Sequence, residues 1–164
     1  MQVEELELEL SSIAVVDGAF VLAGKTYKGN GDRPASFVRT SGVKRTDSPK
    51  RVLVVEDNLD SVHTLAYLLN DMGHTVEYAI NGYVALDVAR RFRPDFALLD
   101  LGLPGIDGFE VCRQIKRDPD LQHCRVVALT AFSQDEYRER AKAVGCELFL
   151  VKPVDTKVLE DLLG

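Results

Sequence analysis

From residue 51 onward the chain alternates short, wholly apolar runs with longer stretches whose apolar residues recur every three or four positions. Val52–Val55 is the first run. Val62, Leu65, Ala66, Leu69 and Met72 then line one helical face, with Gly73 as its stop. Thr75–Ala79 predicts a second strand. Asn81 is placed to cap a helix with Val84, Ala85, Val88, Ala89 and Phe92 on one side, ended by Pro94. Phe96–Leu99 is a third strand, and Phe109, Val111, Cys112 and Ile115 mark a third helix closed by Asp118-Pro119. Val126–Leu129 is a fourth strand. Ser133 and Glu136 have capping-box spacing for a fourth helix that Gly145 stops. Leu148–Val151 is the fifth strand, and Asp155 caps a last helix with Val158, Leu159, Leu162 and Leu163 facing inward. Strands this uniformly apolar predict a parallel sheet covered on both faces. The expected fold is therefore α/β: a doubly wound, flavodoxin-like (βα)5 domain with five parallel strands. The strand order itself is taken by analogy.

The first fifty residues read differently. Glu5–Leu10 alternates charge and leucine, as a half-buried strand does. Ile13–Val16 and Ala19–Leu22 flank Asp17-Gly18, a turn pair that predicts a β-hairpin. Residues 25–49, rich in Gly, Ser, Thr and basic side chains, predict a linker. The division is thus 1–24 as an N-terminal extension with a hairpin arm, 25–49 as linker, and 50–164 as the main domain. Isolated hairpins are barely stable, so the arm needs something to pack on. It reads as a regulatory or homodimer-forming arm, as the remnant of a larger upstream domain, or as a flexible extension.

Charge sharpens this division. The net charge is −6, all of it in residues 51–164, while residues 1–50 balance. An acidic domain repels nucleic-acid phosphates, so no nucleic-acid partner is expected. The acidic amino terminus is no signal peptide, and no apolar run spans a bilayer, so a cytoplasmic protein with no membrane contact is expected. Cys112, Cys124 and Cys146 form no CxxC pair, and His63, His74 and His123 stand alone, so neither a disulfide framework nor a zinc site is expected. The cysteines read as packing or solvent-facing thiols, His63 as a surface residue and Tyr137 as a half-buried side chain.

Chemistry gathers where the predicted strands end. Glu56 and Asp57 follow the first, Asp100 the third, Thr130 the fourth and Lys152-Pro153 the fifth. Carboxyl ends of parallel strands share one edge, where ligands bind. Three carboxylates crowded there repel one another, and a hard divalent cation, Mg²⁺ or Mn²⁺, resolves the conflict. Glu56, Asp57, Asp100 and the Gly102 backbone carbonyl are its candidate ligands. Phosphoryl transfer needs positioning and charge neutralisation. Asp100 is then the nucleophile that becomes an acyl phosphate, Lys152 a mobile positive charge, and Thr130 a hydrogen-bond donor to the phosphoryl oxygens. A dehalogenase-type phosphatase would want an aspartate where Gly102 stands. A phosphate loop ending in Gly24-Lys25-Thr26 would want glycine at Ala19.

VLVVEDN (52–58), LLDLGLPGIDGFEV (98–111), ALTA (128–131) and LVKPVD (150–155) together resemble the response-regulator receiver family of two-component signalling, over residues 51–164. The variant with Gly102 and Gly105 is most similar to receivers attached to hybrid sensor kinases. The resemblance implies that Glu56 and Asp57 are the acidic pair, Asp100 the phosphorylated aspartate, Thr130 the switch hydroxyl, and Lys152 the lysine before a cis proline, Pro153. Phe149 falls where the family has its switch aromatic, here without a hydroxyl. It also implies that Thr130 moves toward the phosphoryl group and that Phe149 follows. That movement biases the face built from the fourth helix, fifth strand and fifth helix, where a downstream protein docks. Two positions tune phosphoryl lifetime in such domains. Here they hold Gly102 and Phe132, neither of which orients an attacking water. The phosphodonor is expected to be a histidine kinase or a histidine phosphotransfer protein, and the only catalysis expected is of the domain's own phosphorylation and dephosphorylation. Output is expected through protein contacts, onward relay or the arm. The rival readings are a phosphorylation-independent adaptor and a phosphate sink.

Overall fold

The computed structural model describes residues 44–164, together with the backbone of three short strands earlier in the chain. Those strands are β1 (Ala14–Val16), β2 (Ala19–Leu22) and β3 (Lys25–Lys28), in an antiparallel sheet of that order. Val16 pairs with Ala19 across the two-residue Asp17-Gly18 connection, and Phe20 pairs with Tyr27. The hairpin is therefore present, and β3 falls within the stretch expected to be linker. Thr26 and Tyr27 are residue types that favour strands, a signal that the surrounding glycines outweigh in the sequence. The Glu5–Leu10 alternation lies outside the described residues.

The main domain holds β4 (Arg51–Val55), α1 (Leu59–Asp71), β5 (Thr75–Ala79), α2 (Gly82–Phe92) and β6 (Phe96–Asp100). It continues with α3 (Gly108–Arg117), β7 (Arg125–Thr130), α4 (Asp135–Val144), β8 (Leu148–Val151) and α5 (Thr156–Leu163). All five strands are parallel, in the order β5-β4-β6-β7-β8. This is the flavodoxin-like order, with its switch point between β4 and β6.

Side-chain alternation along the strands supplies two cores. Leu53, Val55, Ala97, Leu99, Val126 and Ala128 face α2, α3 and α4. Val52, Val54, Phe96, Leu98, Val127 and Leu129 face α1 and α5. Continuous apolar runs make sense here because odd and even positions both need hydrocarbon. The edge strand β8 breaks that rule, since Leu148 and Val151 are exposed.

Helix ends follow local chemistry. Asn58, Asn81, Asp107 and Asp155 each accept a backbone N–H at a helix start. The fourth helix departs from expectation. It begins at Asp135, with Gln134 at the cap position making no side-chain bond, so the Ser133–Glu136 capping box does not form. The helix starts too late for Ser133 to reach its first free N–H groups. Two expected core residues also point out: Val84 and Val158 are exposed, and Leu86 is buried instead of Val84. Each sits in the first turn of its helix. No helix among the described residues is long and apolar enough to cross a membrane.

Candidate functional site

Strand register sets the site. Val55 lies level with Leu99, so Glu56 and Asp100 leave the sheet side by side. Asp100 lies level with Leu129, and Thr130 with Val151. Thr130 therefore stands one residue above Asp100 and Lys152 two above. Each residue adds about 3.3 Å of strand, and the long lysine side chain covers that height by reaching back down. Its ammonium bridges two carboxylates, donating to Glu56 Oε2 and to Asp100 Oδ2, the latter at 3.0 Å.

The other contacts are short and local. Asp100 Oδ1 accepts the Gly102 N–H at 2.8 Å, and Glu56 Oε1 accepts the Asn58 N–H at 3.2 Å. One carboxylate oxygen each from Glu56, Asp57 and Asp100 can be chosen so that all lie within 4.8 Å of one another. Glu56 is buried, Asp57 exposed and Asp100 between the two. Thr130 is fully buried, and its hydroxyl accepts the Phe132 N–H at 3.0 Å. The Lys152 N–H donates to the Thr130 carbonyl at 2.8 Å, and the Lys152–Pro153 bond is cis.

Charge follows from this crowding. Burial pushes the Glu56 carboxyl above its ordinary range. Hydrogen bonds from Lys152 and the Asn58 N–H pull the other way without prevailing, and the Asp100 charge adds to the push. Burial lowers Lys152, but its bonds to Glu56 and Asp100 and their charges outweigh it and hold the ammonium above its ordinary value. Both partners of one ion pair thus shift upward. Lys152 has two carboxylates in its favour, whereas Glu56 has a second carboxylate against it.

Phe149 is half-buried against the α2–α3–α4 core, and the Arg138 guanidinium lies over its ring at 4.9 Å. Phe132 is exposed and stacks on Tyr137 at 5.0 Å, which in turn stacks on Phe109 at 6.4 Å. Tyr137 is half-buried, as expected. His63 is half-buried with its ring edge-on to Tyr78, and all three cysteines are buried, none facing solvent.

Three contributors escaped the sequence reading. Asn58 both caps α1 and holds Glu56. Arg138 covers Phe149. Gly108 lets α3 start directly against the Asp100 backbone: a Cβ there would stand 2.4 Å from the Asp100 carbonyl oxygen. The Asp107-Gly108 pair carried a visible signal, a cap followed by the smallest residue. Beside the acidic cluster runs a mostly apolar groove of about 550 Å³, lined by Leu65 and Leu68 of α1 and by Pro153, Val154 and Leu159.

A doubly wound parallel sheet with an acidic crevice over its carboxyl edge defines the class, and comparison with known proteins gives the family. The family described as response regulator receiver domain matches residues 52–163. The chain is 40% identical over 106 residues to the polar-differentiation response regulator DivK of Brucella anthropi, covering 65% of this chain and 86% of that protein. It superposes on chemotaxis protein CheY4 of Vibrio cholerae with a TM-score of 0.67 at 29% identity, covering 71% of this chain and 97% of that one. It also superposes on the receiver domain of sensor histidine kinase PA1611 from Pseudomonas aeruginosa PAO1, which has a magnesium ion coordinated in its active site cleft. There the TM-score is 0.65 at 29% identity, covering 71% and 95% of the two chains. The chain belongs to the response regulator receiver domain family of two-component signalling.

Proposed function

We propose that this receiver accepts a phosphoryl group on Asp100 and uses it to shift the packing of α4, β8 and α5. The observation that carries the reading is the convergence of Glu56, Asp57 and Asp100 with Lys152 bridging two of them. The donor set is all oxygen, which fits Mg²⁺ or Mn²⁺ held by Glu56, Asp57, Asp100 and the Gly102 carbonyl. Once bound, such a cation supplies the positive charge that three carboxylates lack and that phosphoryl oxygens require.

The chain's own groups do the rest. An Asp100 oxygen bonds to phosphorus as the bond to the donor breaks, with the donor a phosphohistidine or a small acyl phosphate, and the leaving group takes up a proton. Lys152 stays protonated and follows the charge from Glu56 and Asp100 onto the phosphoryl oxygens. Thr130 exchanges its bond with the Phe132 N–H for one it donates to the phosphoryl group. That exchange frees the backbone at Phe132, whose ring stacks on Tyr137 of α4. The same step opens room beside Phe149, whose ring the Arg138 guanidinium holds in the unphosphorylated arrangement. Such a change is a population shift between two packings. The kinase or phosphotransfer protein, the downstream partner of the α4–β8–α5 face and any pairing through the N-terminal arm belong to this proposal. So does the limit of catalysis to the domain's own phosphorylation and dephosphorylation.

Intact mass after incubation with Mg²⁺ and a small acyl phosphate tests it. A gain of about 80 Da in wild type, absent in Asp100→Asn, is the expected result. No gain from either a small donor or a phosphorylated histidine phosphotransfer protein would leave the adaptor reading in its place.

A further inference from the structure

Two thiols that play no part in phosphoryl transfer meet inside the domain. Cys112 lies in the middle of α3, fully buried. Cys146 follows the end of α4, with 8% of its surface exposed. Their sulfurs are 3.3 Å apart, and Cys112 Sγ also contacts the Val144 carbonyl at 3.5 Å. Backbone geometry explains the meeting. Gly145 closes α4 in the left-handed region, at φ 103°, and a Cβ there would stand 2.9 Å from Lys116 Cγ. Only glycine lets the chain turn this tightly over α3. Cys112 is one helical turn before Lys116, so the next residue out of the turn lands on it.

The rest of α4 is loosely seated. Of its ten residues, Ala141 alone is buried, and its first turn lacks a side-chain cap. The contact at Cys146 therefore adds to that of Ala141 in seating a largely exposed helix on α3. The hydrogen bond with Cys146 draws the Cys112 thiol below its ordinary value, helped by Lys116 and Arg113 against the effect of burial. The same bond, together with burial, pushes the Cys146 thiol well above its ordinary value, so the two thiols hold their protons unequally.

We propose that Cys112 and Cys146 are a peroxide-sensitive dithiol that closes to an intramolecular disulfide, fastening the C-terminal end of α4 to the middle of α3. The oxidant is hydrogen peroxide, and Cys146, 8% exposed against none for Cys112, is the member of the pair nearer to solvent. One sulfur attacks a peroxide oxygen, the O–O bond breaks, and a sulfenic acid and one water result. The second thiol attacks that sulfur, forms the S–S bond and releases the sulfenic oxygen as a second water. Two thiols are oxidised by two electrons and one hydrogen peroxide is reduced. A thiol reductant reverses the change. Any effect on the phosphorylation-driven shift rests on the phosphoacceptor reading, whereas the disulfide itself does not.

The test uses the full chain, reduced and then treated with hydrogen peroxide at neutral pH without phosphodonor. Intact mass should fall by about 2 Da, and the alkylatable thiols, counted after unfolding, should fall from three to one. Peptide mapping of wild type should give the Cys112–Cys146 cross-link, which needs no variant to fold. Cys124→Ser should behave as wild type, and Cys146→Ala should lose the mass change. Amide exchange across residues 135–146 should slow in the oxidised form. Oxygen additions without the cross-link, a bridge through Cys124, a disulfide between two chains, or three thiols remaining would each overturn the pairing. A cross-link that leaves exchange in α4 unchanged would overturn the fastening.

Discussion

Gly108→Ala would add one methyl group where α3 begins. Its Cβ would stand 2.4 Å from the Asp100 carbonyl oxygen and 2.6 Å from Leu101 Cα. Ordinary contact begins near 3.4 Å, so the helix start must retreat by about 1 Å against a packed core. Both obstructing groups are backbone at the end of a central strand and cannot rotate away. Overpacking of this kind costs about 1–3 kcal/mol. The smaller entropy of the unfolded alanine chain returns about 0.4–1 kcal/mol. A net loss of about 1–2 kcal/mol remains, which lowers the midpoint of urea unfolding by roughly 0.5–1 M. Gly102→Ala is the control, since its Cβ would meet only Asp100 Oδ1, at 3.6 Å, and with no clash to offset the entropy gain its midpoint should lie at or slightly above wild type. Retreat of α3 also draws on the Leu101 carbonyl, which accepts the Gly108 N–H and directly follows Asp100 at the end of β6. Phosphorylation of Gly108→Ala should therefore slow as well. An unchanged urea midpoint would refute the claim that α3 starts in contact with the Asp100 backbone.

Other substitutions read separate parts of the domain. Asp57→Asn removes the exposed member of the acidic cluster and should weaken Mg²⁺ binding by roughly tenfold or more, read by titration calorimetry, because one charged ligand becomes neutral. Glu147→Gln breaks the two-pronged contact with Arg125, at 2.7 and 2.5 Å, and should cost less than about 1 kcal/mol since both groups are half exposed. The Arg125 hydrogen bond holds the Glu147 carboxyl below its ordinary 4.5, so its stabilisation is present above pH 4.5 and fades as pH falls through the lowered folded value. The gap between wild type and Glu147→Gln in urea midpoint should therefore close in acid; a gap that widened would reverse the sign. Gly102→Asn places an amide beside Asp100, where wild type has no side chain, and should shorten the lifetime of the phosphorylated form several-fold by orienting water. A lifetime already very short in wild type, without any partner, would count against unassisted hydrolysis.

Much of this domain is local chemistry that the chain states openly. Apolar runs such as Val52–Val55 and Phe96–Leu99 specify strands with both faces covered, because alternate side chains must all find hydrocarbon. Asn81 and Asp155 specify helix starts because their side-chain oxygens accept a free N–H of the first turn. Asp17-Gly18 predicts the antiparallel pairing of β1 with β2. Glu56, Asp57, Asp100, Thr130 and Lys152 are legible as a group because each follows an apolar run, and parallel strands bring their ends to one edge. The sequence does not reveal how far each residue stands above that edge. The stagger of Thr130 and Lys152 over Asp100 comes from strand register, a sum of hydrogen bonds between segments far apart in the chain. Strand order is nonlocal for the same reason. The exposure of the edge strand β8 depends on where the sheet stops, which no run of residues encodes alone. The grip of Arg138 on Phe149 and the meeting of Cys112 with Cys146 depend on how α4 is seated, and periodicity says little about a helix that buries one alanine.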